Sequence, residues 1–199
     1  MRITRIIPAL RNSFLLLLSC SMFECASINI NLFSDGDDVK LGQQMDEEIR
    51  KNPKEYPILQ NRPDVKEYVS SVTSKILASP EIKKRGIYPY KIEIIHDDKM
   101  INAFATPGGF IYVYTGLLKF IDNEATLAGV VGHEIAHAER RHATQRLTKY
   151  YGVEILLGAV LGGNPSQTQQ IFANLFTGLA FLKNGRDDEA ESDEYSFKY

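Results

Sequence analysis

The sequence runs to 199 residues, 44% of them hydrophobic and 24% charged, with a net charge of −2. That length is enough for one domain with a real core. The near-neutral balance excludes the basic surface of a nucleic-acid binder, so no nucleic-acid partner is expected.

The first residues are not domain material. Arg2, Arg5 and Arg11 form a basic region, and Phe14 to Leu18 is an apolar run too short to span a bilayer. Residues 1–19 therefore read as an export signal. Leu17-Leu18-Ser19-Cys20 has the form of a bacterial lipobox, which makes Cys20 the lipidated first residue of the mature protein. The competing reading is an ordinary secretory signal, with Cys20 and Cys25 paired or free. A lipid on Cys20 places the protein on the periplasmic side of a bacterial envelope, held to a membrane by its anchor. Ser21 favours the outer membrane. Residues 20–38 are polar and suit a tether. Residues 39–199 form the domain.

Helical spacing follows at Val39–Lys51 (Leu41, Met45, Ile49) and Pro63–Ala78 (Val65, Val69, Val72, Ile76), with Pro63 and Asp64 marking a start. Lys91–Ile95 alternates as a strand, and Ala103–Ala105 and Phe110–Tyr114 read as two strands around Pro107-Gly108-Gly109. Asp122 caps a helix from Ala125 onward. Helices over Tyr150–Leu161, Ile171–Leu182 and Asp187–Phe197 end the chain, with a turn-rich loop over Gly162–Gln169. The later apolar runs, Val153–Leu161 and Ile171–Leu182, are too short for membrane spans. The basic cluster Arg140, Arg141, His142 and Arg146 suits a helix C-terminus.

The helix after Asp122 carries His133-Glu134-Ile135-Ala136-His137, an H-E-x-x-H pattern. Histidines four apart share a helix face and can reach one zinc ion, and the intervening glutamate can deprotonate a water there. The small, apolar flank Leu127–Gly132 suggests a buried start, with close packing at Gly129 and Gly132. A catalytic zinc site needs a third protein ligand and an open position. Metzincins place a glycine and a third histidine where Arg140 and Ala143 stand in this sequence, so that class is excluded. The alternative is a later carboxylate. Candidates cluster in Arg186–Glu194, where Glu189 and Asp193 share a helix face: Glu189 to bind metal, Asp193 to accept from a ligating histidine. An acidic, solvated helix start explains the same run without a metal.

Asn102 to Leu118, His133-Glu134-x-x-His137-x-x-x-x-His142 and Arg186-x-x-Glu189-x-x-Ser192-Asp193 together resemble the HtpX-, Oma- and BepA-type zinc metallopeptidases, the family of the CAAX prenyl endopeptidases. Ser192 stands where that family usually has alanine. The resemblance covers residues 40–199 and is strongest to small LoiP-type lipoprotein members. It implies an α+β fold: a mostly helical, zincin-like (gluzincin) domain with a small β-sheet whose edge strand borders the zinc cleft. It implies one Zn2+ per chain held by His133, His137 and Glu189, with Glu134 as general base. Asp193 supports a ligand, and Arg186 supports the transition state or fixes Glu189 or an acidic neighbour; His142 reads as structural. Gly108, Gly109, Phe110 and Ile111 would bind substrate as an added strand. Family members often continue past the last helix, so a shortened chain or a piece of a longer one is implied. The expected activity is endopeptidase cleavage of unfolded or misfolded envelope proteins. The same residues suit a protease for one partner, and a non-catalytic binder of envelope proteins is the third reading.

Overall fold

A capping box starts the first helix: the Ser34 side chain accepts from the Asp37 N–H, and the Asp37 carboxylate accepts from the Ser34 N–H. The computed structural model describes residues 31–149, 152 and 185–199. Helix α1 (Asp35–Lys51) thus begins inside the stretch read as a tether. Its acidic first turn and basic last turn complement the helix dipole. The residues before it also dock: Asn31 Nδ2 donates to Thr144 Oγ1 at 2.9 Å, and the Leu32 N–H to Thr148 Oγ1 at 3.1 Å. The export signal, Cys20, Cys25, and the expected elements within 150–184 lie outside the described residues, Gly152 excepted.

After α2 (Pro63–Leu77) come β1 (Lys91–Ile95), β2 (Ala103–Thr106) and β3 (Phe110–Tyr114), then the short α3 (Thr115–Phe120), α4 (Glu124–Glu139) and α5 (Arg186–Ser196). Residues 142–149 are also helical. The sheet order is β1-β3-β2, with β1 parallel and β2 antiparallel to β3. Thr106-Pro107-Gly108-Gly109 turns the hairpin, closed by the Gly109 N–H on the Thr106 carbonyl at 3.3 Å. Gly108 has φ +74° and its absent side chain lets the turn sit on α1; a Cβ there would meet Val39 Cα at 2.7 Å.

Both sheet faces are covered, which is why β3 is buried throughout and β1 is buried at all but Lys91. Ile92, Ile94, Ile111 and Val113 face Val69, Val72 and Ile76 of α2 and Leu127, Val131 and Ile135 of α4. Phe110, Tyr112 and Tyr114 pack on the other side with Ile49 of α1 and Phe104, whose ring stacks on Tyr112 at 4.8 Å. Glu93 survives burial because Arg50 (2.7 Å) and Lys66 (3.0 Å) pair with it. The fold is α+β, mostly helical, with a small mixed sheet.

Candidate metal centre

Asn123, rather than Asp122, caps α4 by accepting from the Thr126 N–H at 2.9 Å. Leu127, Val131 and Ile135 recur every fourth residue and anchor the helix to the sheet. Glu139 fixes its far end: it accepts from the Lys83 and Lys84 backbone N–H groups and from the Tyr90 hydroxyl. Gly132 contacts Ser196 of α5, whereas Gly129 is exposed with nothing near it, so the close packing expected at Gly129 is absent.

The helix turns His133 and His137 toward α5. Their Nε2 atoms are 3.0 Å apart. Glu189 completes the group, with Oε2 3.3 Å from His133 Nε2 and Oε1 3.4 Å from His137 Nε2. A cation about 2.0–2.1 Å from three tetrahedral ligand atoms sets those atoms about 3.3–3.4 Å apart. The triangle therefore has the size of a zinc site, and two imidazoles with one carboxylate are zinc donors.

Glu134 keeps some surface on the cleft, but without a cation burial of its carboxyl pushes its pKa up to about 8, helped by the Glu189 carboxylate; a divalent cation at the triangle opposes that rise and favours the carboxylate, the form that accepts a proton. The Ala105 backbone N–H opposes that rise by bonding to it. Burial, with His142 and His133 beside it, lowers His137 to about 3. It is thus held neutral, the form that ligates metals.

A second layer surrounds this triangle. Asp193 Oδ1 lies 2.8 Å from His133 Nδ1. His137 Nδ1 lies 2.8 Å from His142 Nδ1, and His142 Nε2 lies 2.8 Å from Glu191 Oε2. Arg140 pairs with Glu191 at 2.6 Å and stacks on Tyr195, and Arg146 pairs with Asp188 at 3.0 Å. These contacts tie α5 to α4 and to the helical stretch after it. Sequence reasoning missed Glu191, Arg146 and the Ala105 amide. The His137–His142 spacing was a signal for the first; nothing local marked the amide.

Two expectations are corrected. Arg186 is exposed at the start of α5 and is not among the described residues that line the cleft; the described arginines that line it are Arg141 and Arg146. Gly108, Gly109, Phe110 and Ile111 do not offer a free strand edge. The chain returns from the hairpin into the gap between β1 and β2, so β3 is central and hydrogen-bonded on both sides. The edge strand bordering the cleft is β2, through Asn102 to Pro107. The Tyr114 N–H donates to the Asn102 carbonyl at 3.1 Å, so the even-numbered residues of β2 bond to β3. Ala103 and Ala105 then aim their main-chain groups outward. The cleft encloses about 670 Å³ and includes Glu134, His137 and Glu189.

Residues 63–199, more than half of the chain, match the family model described as Peptidase family M48. The chain belongs to peptidase family M48. The Beta-barrel assembly-enhancing protease of Escherichia coli (strain K12) is 31% identical over 117 residues, covering 57% of this chain and 23% of the relative. Metalloprotease YcaL of the same organism is 30% identical over 111 residues, 54% of this chain and 42% of the relative. Mitochondrial metalloendopeptidase OMA1 of Arabidopsis thaliana is 40% identical over 63 residues, 32% and 13% of the two chains. The chain thus spans under half the length of these M48 relatives. Among the described residues, no helix is long and apolar enough to cross a membrane.

Proposed function

We propose that this M48 chain is a zinc-dependent endopeptidase, with His133, His137 and Glu189 holding the ion. The observation that carries this reading is the ligand triangle of 3.0–3.4 Å edges with Glu134 beside it, on a cleft bordered by a strand edge. Zinc bound there supplies Lewis-acid polarisation of a carbonyl and of a water. Glu134 accepts a proton on a carboxylate oxygen as that water adds to the scissile carbonyl carbon. It then hands the proton to the amine nitrogen as the C–N bond breaks. The Ala105 N–H holds the Glu134 carboxylate in place between transfers. Asp193 fixes the orientation of His133.

Substrate pairs as a strand with the outer edge of β2, through the main-chain groups of Ala103 and the Ala105 carbonyl, the Ala105 N–H being held by Glu134. Main-chain pairing reads no particular sequence. It therefore suits unfolded or misfolded proteins, and the names of the bacterial relatives favour those of the cell envelope. Cys20 tethers the enzyme by a lipid on the periplasmic side, at the outer membrane.

Replacing Glu134 with Gln is expected to leave one zinc per chain and to slow cleavage of unfolded casein by about 10²–10⁴-fold. Unchanged cleavage by E134Q contradicts the base assignment. A wild-type protein that binds zinc but leaves casein intact points to the non-catalytic binder.

A further inference from the structure

The His137-x-x-x-x-His142 spacing puts a third histidine against the ligand set without making it a ligand. His142 is almost fully buried, at 1% exposure, and its Nδ1 lies 2.8 Å from His137 Nδ1. Two ring nitrogens at that distance share one proton, so one of them donates and the other accepts. The far side of His142 decides which. Its Nε2 lies 2.8 Å from Glu191 Oε2, a carboxylate that Arg140 also grips at 2.6 Å. A carboxylate only accepts, so the ring proton of His142 sits on Nε2, and with one ring proton its Nδ1 is the acceptor. His137 must then carry its own proton on Nδ1, which leaves the Nε2 lone pair facing His133 and Glu189.

We propose that His142 is a positioning residue: oriented by Glu191, it fixes the tautomer and ring orientation of His137 for metal binding. The proposal rests on the zinc reading above. It differs from the common arrangement, in which a ligating histidine donates directly to a carboxylate, carbonyl or water. Here an imidazole stands between ligand and carboxylate. The Ser192 hydroxyl, fully buried, approaches the same His142 Nδ1 at 3.3 Å and is the weaker claimant on its single lone pair.

Two substitutions separate positioning from packing. H142F keeps a ring of similar size but offers no acceptor. H142N loses the bond to Glu191 but can present Oδ1 where Nδ1 stood. Zinc affinity of the full chain is measured by competition with a chromophoric chelator, beside the melting temperature of the zinc-free protein. H142F is expected to bind zinc about 10–100-fold more weakly than wild type, and H142N to recover a large part of that loss. Long-range ¹H–¹⁵N spectra of the zinc-loaded wild type are expected to show His137 protonated at Nδ1 and His142 at Nε2. Full affinity in H142F overturns the proposal. So do equal losses in both variants that follow zinc-free stability, and a proton on His142 Nδ1 in the loaded protein. If the wild type binds no zinc through His133 and His137, the metal reading itself fails, and this proposal with it.

Discussion

The two helices that meet at the candidate metal centre are held by opposite kinds of force. Helix α4 presents His133, Glu134 and His137 from a segment whose Leu127, Val131 and Ile135 are essentially fully buried in the apolar core. Helix α5 presents Glu189 and Asp193, yet within it only Ser192 is buried. Its position depends on Arg140–Glu191, Arg146–Asp188, His142–Glu191 and the contacts of Glu189 and Asp193 with His133 and His137. Apolar burial is non-directional and is not weakened by charge screening, whereas ion pairs need geometry and are screened. One half of the site is therefore built into the fold, and the other is assembled onto it by polar contacts.

The largest expected break falls on the apolar half. Ile135→Ala leaves a cavity between α4 and the sheet and is expected to lower stability by about 2–5 kcal/mol. Chemical denaturation in urea should show nearly the same loss at low and high sodium chloride. A strong salt dependence would remove the distinction between the halves.

A smaller effect is expected from Asp188→Asn. It removes the charge partner of Arg146 and weakens the cap that the Gly185 N–H makes with the Asp188 carboxylate at 3.3 Å. The loss is expected at about 1.5–3 kcal/mol and confined to α5. Hydrogen exchange should read it as faster amide exchange over 186–196, with residues 127–135 unchanged. Exchange that rises equally in α4 would mean that the two helices open as one unit.

The smallest effect sharpens the comparison by missing both halves. Ser34→Ala breaks the capping box of α1 and is expected to cost about 1 kcal/mol. Zinc affinity should not change, and a loss of zinc binding would tie the N-terminal segment to the site.

What the sequence made legible follows the same division. Helical periodicity put His133 and His137 on one face, and Glu189 and Asp193 on another. Such patterns are local, so they can be read from spacing. The partner of each face is not local. Nothing in Phe110–Tyr114 tells whether β1 pairs with it, and that one parallel pairing moves the free edge from β3 to β2. The start of α1 was obscured because Ser34 to Asp38 is as polar as a tether, although the same residues make a cap. Arg186 was placed near the chemistry by its position in the Arg186-x-x-Glu189-x-x-Ser192-Asp193 motif. Arg186 is the first residue of α5 and stands exposed at the helix start, while Arg146, forty-odd positions earlier, reaches Asp188.

The central claim is that one cation joins the two halves. Zinc-edge anomalous scattering from crystals of the zinc-loaded protein tests it most directly. The account predicts a single peak about 2.0–2.2 Å from His133 Nε2, His137 Nε2 and a Glu189 carboxylate oxygen, with one position open to the cleft. A peak coordinated by the histidines while Glu189 points away, or no peak at all between α4 and α5, would contradict it.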